Sequence, residues 1–176
     1  MEWITLMVRS VLEKKPDASR IHRLYDSAIR EHSALIDRIC FGYANSLYDL
    51  DDLKQDAMLN LWESMNLFKG DCSMKTWVYR ITLNTCVSSL RKRYRSISTV
   101  ELTSLYDTVD YDVERKQVIT DLHEAIATLN PIDKAIVLLW LEEESYEEIS
   151  QITGLSVNNV GVRLHRAKSK LKQFAK

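Results

Sequence analysis

Three observations predict an all-α fold, with two small helical domains joined by a flexible acidic linker. Apolar residues recur at helical spacing through most of the 176 positions. Four glycines and two prolines leave few turns, and no stretch of strand period is convincing. The helical period vanishes in one place only, "SISTVELTSLYDTVDYDV" at 96–113. It divides the chain into a domain at 1–95, a linker at 96–113 and a second domain at 114–176. A short β-hairpin is the alternative reading of the linker.

In chain order, residues 2–14 predict a short helix ended by Pro16. Ile21, Leu24, Tyr25, Ala28, Ile29, Leu35, Ile36 and Ile39 place one amphipathic helix, or two, over 18–45. Leu53, Ala57, Leu61 and Met65 form a stripe on the next helix, whose acidic start suits a helix N-terminus. Gly70 stops it, and Ser73 can cap a helix over 74–95 that carries Trp77, Ile81, Asn84 and Val87 or Ser88 along one side.

Residues 114–128 are helical again. Asn130 caps a helix that begins with Pro131, carries Ile132, Ile136, Leu139 and Trp140, and runs out in three glutamates. Helices over 145–153 and 157–174 complete a four-helix second domain.

The composition, 45% hydrophobic and 28% charged with net charge −1, is that of an ordinary folded protein. No run of ~18 apolar residues could span a membrane, and the opening "MEWITLMVRSVLEKK" does not read as a signal peptide. Cys40, Cys72 and Cys86 are odd in number and lack C-x-x-C spacing, which argues against a disulfide framework and a zinc site. Reduced thiols in the cytoplasm are expected. The four histidines are scattered, and neither a glycine-rich phosphate loop nor a nucleophile–base pair is present. The chain is therefore not expected to be an enzyme, nor to need a cofactor, a metal or a small-molecule substrate.

Charge is sorted into blocks. Residues 149–176 hold six Lys or Arg and no acid, whereas 101–148 hold thirteen acids and three bases. A second acid-free window, 73–100, holds six bases. Its aromatics Trp77, Tyr79 and Tyr94, with Phe68 just before, could stack on unpaired bases.

The C-terminal block has helix-turn-helix spacing in "SYEEISQITGLSVNNVGVRL". Ser150 is the small residue where the second helix crosses, and Gly154 supplies a turn of positive φ. Ser156 caps the second helix. Val160, Leu164, Ala167 and Leu171 point inward, while Arg163, Arg166 and Lys170 share another face. Asn158 and Asn159 occupy the first turn, where a recognition helix meets base edges, and Asn can read adenine through two hydrogen bonds. The bases suit phosphates. Two basic windows on either side of an acidic linker predict two DNA contacts made by one chain.

In order along the chain, these segments resemble the bacterial RNA polymerase sigma factors of the extracytoplasmic-function type. "DLDDLKQDAMLNLW" resembles the acidic segment of their first domain. "FKGDCSMKTWVYRITLNTCVSSLRKR" resembles the promoter-reading segment, and the stretch from "LNPIDKAIVLLW" to "RLHRAKSKLK" resembles their second domain.

The resemblance implies that Asp52, Gln55 and Asp56 dock on polymerase core. It implies that Phe68, Lys75, Trp77, Tyr79, Arg80, Asn84 and Arg91 handle the −10 element of promoter DNA and a flipped base. Asn158, Asn159, Arg163, Arg166 and Lys170 would then anchor the −35 element. The linker, with Glu101, Asp107, Asp110 and Asp112 and with Glu114 just beyond, would thread toward the RNA exit path and imitate the charge of nascent RNA. An anti-sigma factor is a further implied partner.

The chain departs from the family pattern at Asp56, shorter by one methylene than the usual acid, and at Met74, where Phe is common. Gly161 and Val162 stand in place of a frequent Lys-Ser pair. Gly161 costs about 1 kcal/mol of helix propensity, removes a phosphate contact and lets the backbone approach DNA.

Two other classes of function remain open at this point. A helix-turn-helix regulator acting without polymerase would leave the Trp-Tyr-Arg segment and the acidic helix unused. A protein-binding helical module would turn the basic faces toward acidic partners.

Overall fold

The computed structural model describes residues 18–45, 47–95 and 121–173. The helix expected at 2–14, the linker at 96–113 and its hairpin alternative lie outside the described residues. Within them, helices α1 (Ala18–Tyr43), α2 (Leu47–Ser64) and α3 (Met74–Arg95) precede α4 (121–127), α5 (Pro131–Leu141), α6 (Tyr146–Thr153) and α7 (Val157–Leu171). A 3₁₀ turn, Met65–Leu67, follows α2, and no strand occurs among the described residues.

α1 is one helix, not two. Nothing in "ASRIHRLYDSAIREHSALIDRIC" breaks it, and Ala28, Leu35, Ile36, Ile39, Cys40 and Tyr43 keep one face buried along its length. It packs against α2 through the expected stripe: Leu53, Ala57, Leu61 and Met65 are each 1% exposed. Burying a large aliphatic side chain in this way contributes about 1.5–3 kcal/mol.

α3 closes the bundle with Thr76, Tyr79, Leu83, Cys86 and Leu90. The side singled out in the sequence flanks that face: Trp77, Ile81 and Val87 are half-buried against the core, and Asn84 and Ser88 are exposed. Threonines disguised the core face. Thr85 Oγ1 donates to the Ile81 carbonyl at 2.9 Å and accepts from Asn60 Nδ2 at 2.9 Å, so a hydroxyl sits in the interior without an unmet bond.

The second unit is built on α5, capped by Asn130, whose side chain accepts from the Asp133 amide, with Pro131 in the first turn. Ile136, Leu139, Ile149, Ile152, Val160, Leu164 and Ala167 form its interior. The end of α1 packs on α5. Tyr43 Oη donates to the Pro131 carbonyl at 2.8 Å. Gly42 faces Leu138 so closely that a Cβ would lie 2.6 Å from Leu138 Cδ1, so any larger residue would have to displace that leucine.

Candidate nucleic-acid and polymerase interfaces

α6 and α7 form the helix-turn-helix, with the Gly154 turn and the Ser156 cap where the spacing predicts them and a capping box beyond what it predicts. Ser145 and Glu148 make a capping box at the start of α6. Gly154 ends α6 at φ 75°, its amide donating to the Ser150 carbonyl at 2.9 Å. Ser150 Oγ donates to the Leu155 carbonyl at 2.6 Å and so ties the turn to α6. Ser156 caps α7, accepting from the Asn159 amide. Val160, Leu164 and Ala167 are then buried, while Asn158, Asn159, Arg166 and Lys170 are exposed on the open side of α7.

Arg163 behaves differently. Its Nη1 is 2.8 Å from Asp133 Oδ1, in the first turn of α5. It is directed toward the domain and braces α7 on α5, leaving less of it for DNA. Lys168 lies 3.4 Å over the Trp140 ring, so it too is engaged within the domain.

The N-terminal half of α3 carries Lys75, Tyr79 and Arg80, and the other four bases of the window, Arg91, Lys92, Arg93 and Arg95, lie toward its C-terminal end. Ser73 Oγ accepts from the Thr76 amide at 3.0 Å and fixes the helix start. Phe68 and Trp77 stack tilted, ring centres 5.6 Å apart, and Trp77 Nε1 is buried without a hydrogen-bond partner. A buried donor of this kind costs about 1–3 kcal/mol.

The second domain covers much of this face. Glu144, in the turn between α5 and α6, is almost wholly buried; it accepts from Tyr79 Oη at 3.0 Å and pairs with Lys75. Burial, with Glu144 beside it, raises the Tyr79 phenol well above its ordinary value, so it acts as a donor throughout. Arg80 donates from Nη2 at 2.6 Å and from Nε at 3.1 Å to the Gln151 carbonyl, near the C-terminal end of α6. A cation is favoured there by the helix dipole.

Further down α3, Asn84 and Arg91 are exposed. Asn84 borders a groove of about 330 Å³ between α2 and α3 that also includes Asp56, Asn60, Ser88 and Lys92.

The acidic face of α2 begins at the edge of that groove, which Asp56 borders. Asp52, Gln55 and Asp56 are exposed at i, i+3 and i+4, opposite the buried stripe. Leu59, one turn further and 55% exposed, extends the same face. In the sequence, a leucine off the buried stripe and beside three polar residues is the available signal of this face.

The glutamate run at 142–144 is a stronger signal. Acids at a helix C-terminus oppose the dipole, so they need another partner to be there. Glu142 pairs with Arg38 of α1, and Glu144 holds Tyr79 and Lys75. No group of three or more His, Cys, Asp or Glu able to hold a metal occurs among the described residues. Nor is any described helix long and apolar enough to cross a membrane.

Residues 28–96 match the family model described as Sigma-70 region 2, and residues 119–171 match Sigma-70, region 4. The chain is 31% identical over 146 residues to RNA polymerase sigma factor SigV of Bacillus subtilis, covering 80% of this chain and 84% of SigV. The chain belongs to the sigma-70 family, among the extracytoplasmic-function RNA polymerase sigma factors.

Another relative is the ECF RNA polymerase sigma factor SigE of Mycolicibacterium smegmatis, 27% identical over 158 residues. That match takes in 85% of this chain and 61% of the relative. In fold, this sigma factor is similar to the sigma factor RpoE of Bartonella quintana in its complex with the anti-sigma factor NepR (TM-score 0.70, 19% identity, 86% of this chain and 96% of that one). It is likewise similar to CnrH in complex with the cytosolic domain of CnrY (TM-score 0.65, 21% identity, 88% of each chain). As a sigma factor it serves to direct RNA polymerase to promoters.

Proposed function

We propose that Asp52, Gln55 and Asp56 are the polymerase-docking residues of this sigma factor, with Leu59 as their apolar companion. The observation that carries this reading is the exposed face of α2. It is acidic and exposed at i, i+3 and i+4 away from the buried stripe, with Asp56 also bordering the groove toward α3. A helix-turn-helix regulator acting alone has no use for such a face, and a protein-binding module has none for the open side of α7.

In this reading Phe68, Lys75, Trp77, Tyr79, Arg80, Asn84 and Arg91 serve the −10 element. The unpaired Trp77 indole N–H and the groove beside Asn84 support capture of an unstacked base. Asn158, Asn159, Arg166 and Lys170 meet the −35 element, Arg163 acting mainly through its hold on Asp133. The domains divide at 1–95 and 114–176, with the acidic linker between them running toward the RNA exit path. The chain works in the cytoplasm, where it recognises and opens promoters and leaves phosphodiester chemistry to the polymerase.

An anti-sigma factor is a fitting partner. One sigma factor similar to this chain in fold is held by the anti-sigma factor NepR, and a partner that favours the pairing of Glu144 and Gln151 with Lys75, Tyr79 and Arg80 would keep the −10 face covered.

The test is run-off transcription with core polymerase and this chain on genomic templates, paired with core-binding measurements. Reversing Asp52 and Asp56 to Lys is expected to weaken core binding by about tenfold or more, as losing charged contacts worth 1.5–3 kcal/mol would do. Unchanged affinity for core rejects the docking role.

A further inference from the structure

The open side of α7 is not uniformly polar. Val162 is 43% exposed at its centre, one turn after Asn158 and one turn before Arg166. Val157 and Tyr146, each 40% exposed, stand beside it. With Asn158, Gly161, His165 and Arg166 they line an open, largely apolar groove of about 510 Å³. Gly161 keeps that groove open. A Cβ there would meet the Tyr146 ring at 3.5 Å, so a longer side chain would fill the space between the helices. An apolar groove in the middle of a reading face calls for an apolar occupant. In the DNA major groove that occupant is the C5-methyl group of thymine. α7 carries no acid and presents Arg166 and Lys170 next to the groove, which matches a polyanion better than the apolar face of a protein.

We propose that Val162, supported by Val157 and Tyr146, is a specificity-determining residue that reads thymine methyl groups in the −35 segment. The proposal rests on the reading of α7 as the −35 helix. The Asn residues then read hydrogen-bonding edges, Val162 reads methyl groups, and Arg166 holds phosphate, all from successive turns of one helix face.

The experiment uses holoenzyme, core polymerase plus the full chain, on duplexes randomised over the −35 segment upstream of a fixed −10 region. Bound duplexes are sequenced, and the preferred one is resynthesised with deoxyuridine in place of each thymine in turn. At one or two positions, loss of the methyl is expected to weaken binding about fourfold, the value carried by burying one such group. Val162→Ala should abolish that penalty while binding the uracil duplex as the parent does and melting at the parent's temperature. Enrichment without any uracil penalty, or a penalty that persists in Val162→Ala, overturns the methyl readout and leaves the groove to an apolar segment of a protein partner. No enrichment at all upstream of −10 overturns the −35 reading itself, and the proposal with it.

Discussion

The basic face of α3 and the basic face of α7 are hard to tell apart in sequence. Each lies in a window with six bases and no acid. The fold treats the N-terminal half of α3 and the open side of α7 oppositely, while Arg91 and Lys92 at the far end of α3 stay exposed. On α3, Lys75 and Tyr79 are matched by Glu144 and Arg80 by the Gln151 carbonyl, all supplied by the second domain. On α7, Arg166 and Lys170 remain exposed, and only Arg163 and Lys168 are engaged. The difference separates a surface available at once from one that must first be released. Under the proposed assignment, −35 contacts can form while the domains are together. Contacts to −10 must compete with Glu144 for the same donors.

The largest expected effect therefore comes from Glu144→Ala. It leaves the Tyr79 hydroxyl buried without an acceptor, at a cost of about 1–3 kcal/mol. Lys75, 45% exposed on its side chain, adds little, because solvent screens its pair. The domains should separate more readily. Small-angle scattering should show a larger radius of gyration, and a single-stranded −10 oligonucleotide should bind more tightly without core polymerase. Arg80→Ala made in that background sharpens the comparison. If Arg80 serves DNA, oligonucleotide affinity falls by about tenfold or more, as for a lost charged hydrogen bond. If Arg80 only latches α3 to α6, affinity stays or rises. Unchanged dimensions and affinity in Glu144→Ala would dissolve the contrast between the two faces.

A smaller effect is expected from pH, through His123. This α4 residue is 7% exposed, and its Nε2–H donates to the Phe41 carbonyl of α1 at 3.1 Å. Burial lowers its pKa, Lys134 adding to the effect, while the Phe41 and Ala44 carbonyls and Glu124 act the other way. With the folded pKa depressed, the unfolded chain binds the proton more readily, so stability is full above the ordinary histidine pKa and declines as pH falls through and below it. Urea midpoints measured from about pH 8 to about pH 5 should fall, and His123→Gln should flatten that fall. An identical slope in the variant would remove His123 as its source.

What was legible in the sequence follows from which physics is local. Helix periods, the Asn130 and Ser156 capping positions and the Gly154 turn depend on neighbours within a few residues, and the helix-turn-helix could be read almost completely. The core face of α3 is hidden in sequence because Thr76, Thr82 and Thr85 occupy core positions, and a threonine bonded back to its own helix looks polar in any pattern. The partners of Lys75, Tyr79, Arg80 and Arg163 lie 30 to 71 residues away, and no periodicity reports contacts of that range. Only the glutamate run at an unfavourable helix end gave a hint.

That run also yields the smallest effect, at its middle residue. Glu143 has φ 62°, the one positive φ outside glycine among the described residues. Its amide donates to the Trp140 carbonyl at 3.0 Å and the Glu144 amide to the Leu139 carbonyl at 3.2 Å, the pair of bonds that closes a helix through a left-handed residue, where glycine is usual. The left-handed turn is what sends Glu142 toward Arg38 and Glu144 toward Tyr79, on one side of the chain, while Glu143 stays exposed. A side chain in that conformation costs about 1–2 kcal/mol, and glycine gives back about 0.5–1 kcal/mol of that through its freer unfolded chain. Glu143→Gly is therefore expected to raise stability by roughly 0.5 kcal/mol, the difference of those terms, with closure and oligonucleotide binding unchanged. Denaturant unfolding of the parent and the variant checks it. A loss of stability would mean that the Glu143 side chain does more than tolerate its backbone, and that all three glutamates, not two, hold the second domain against the first.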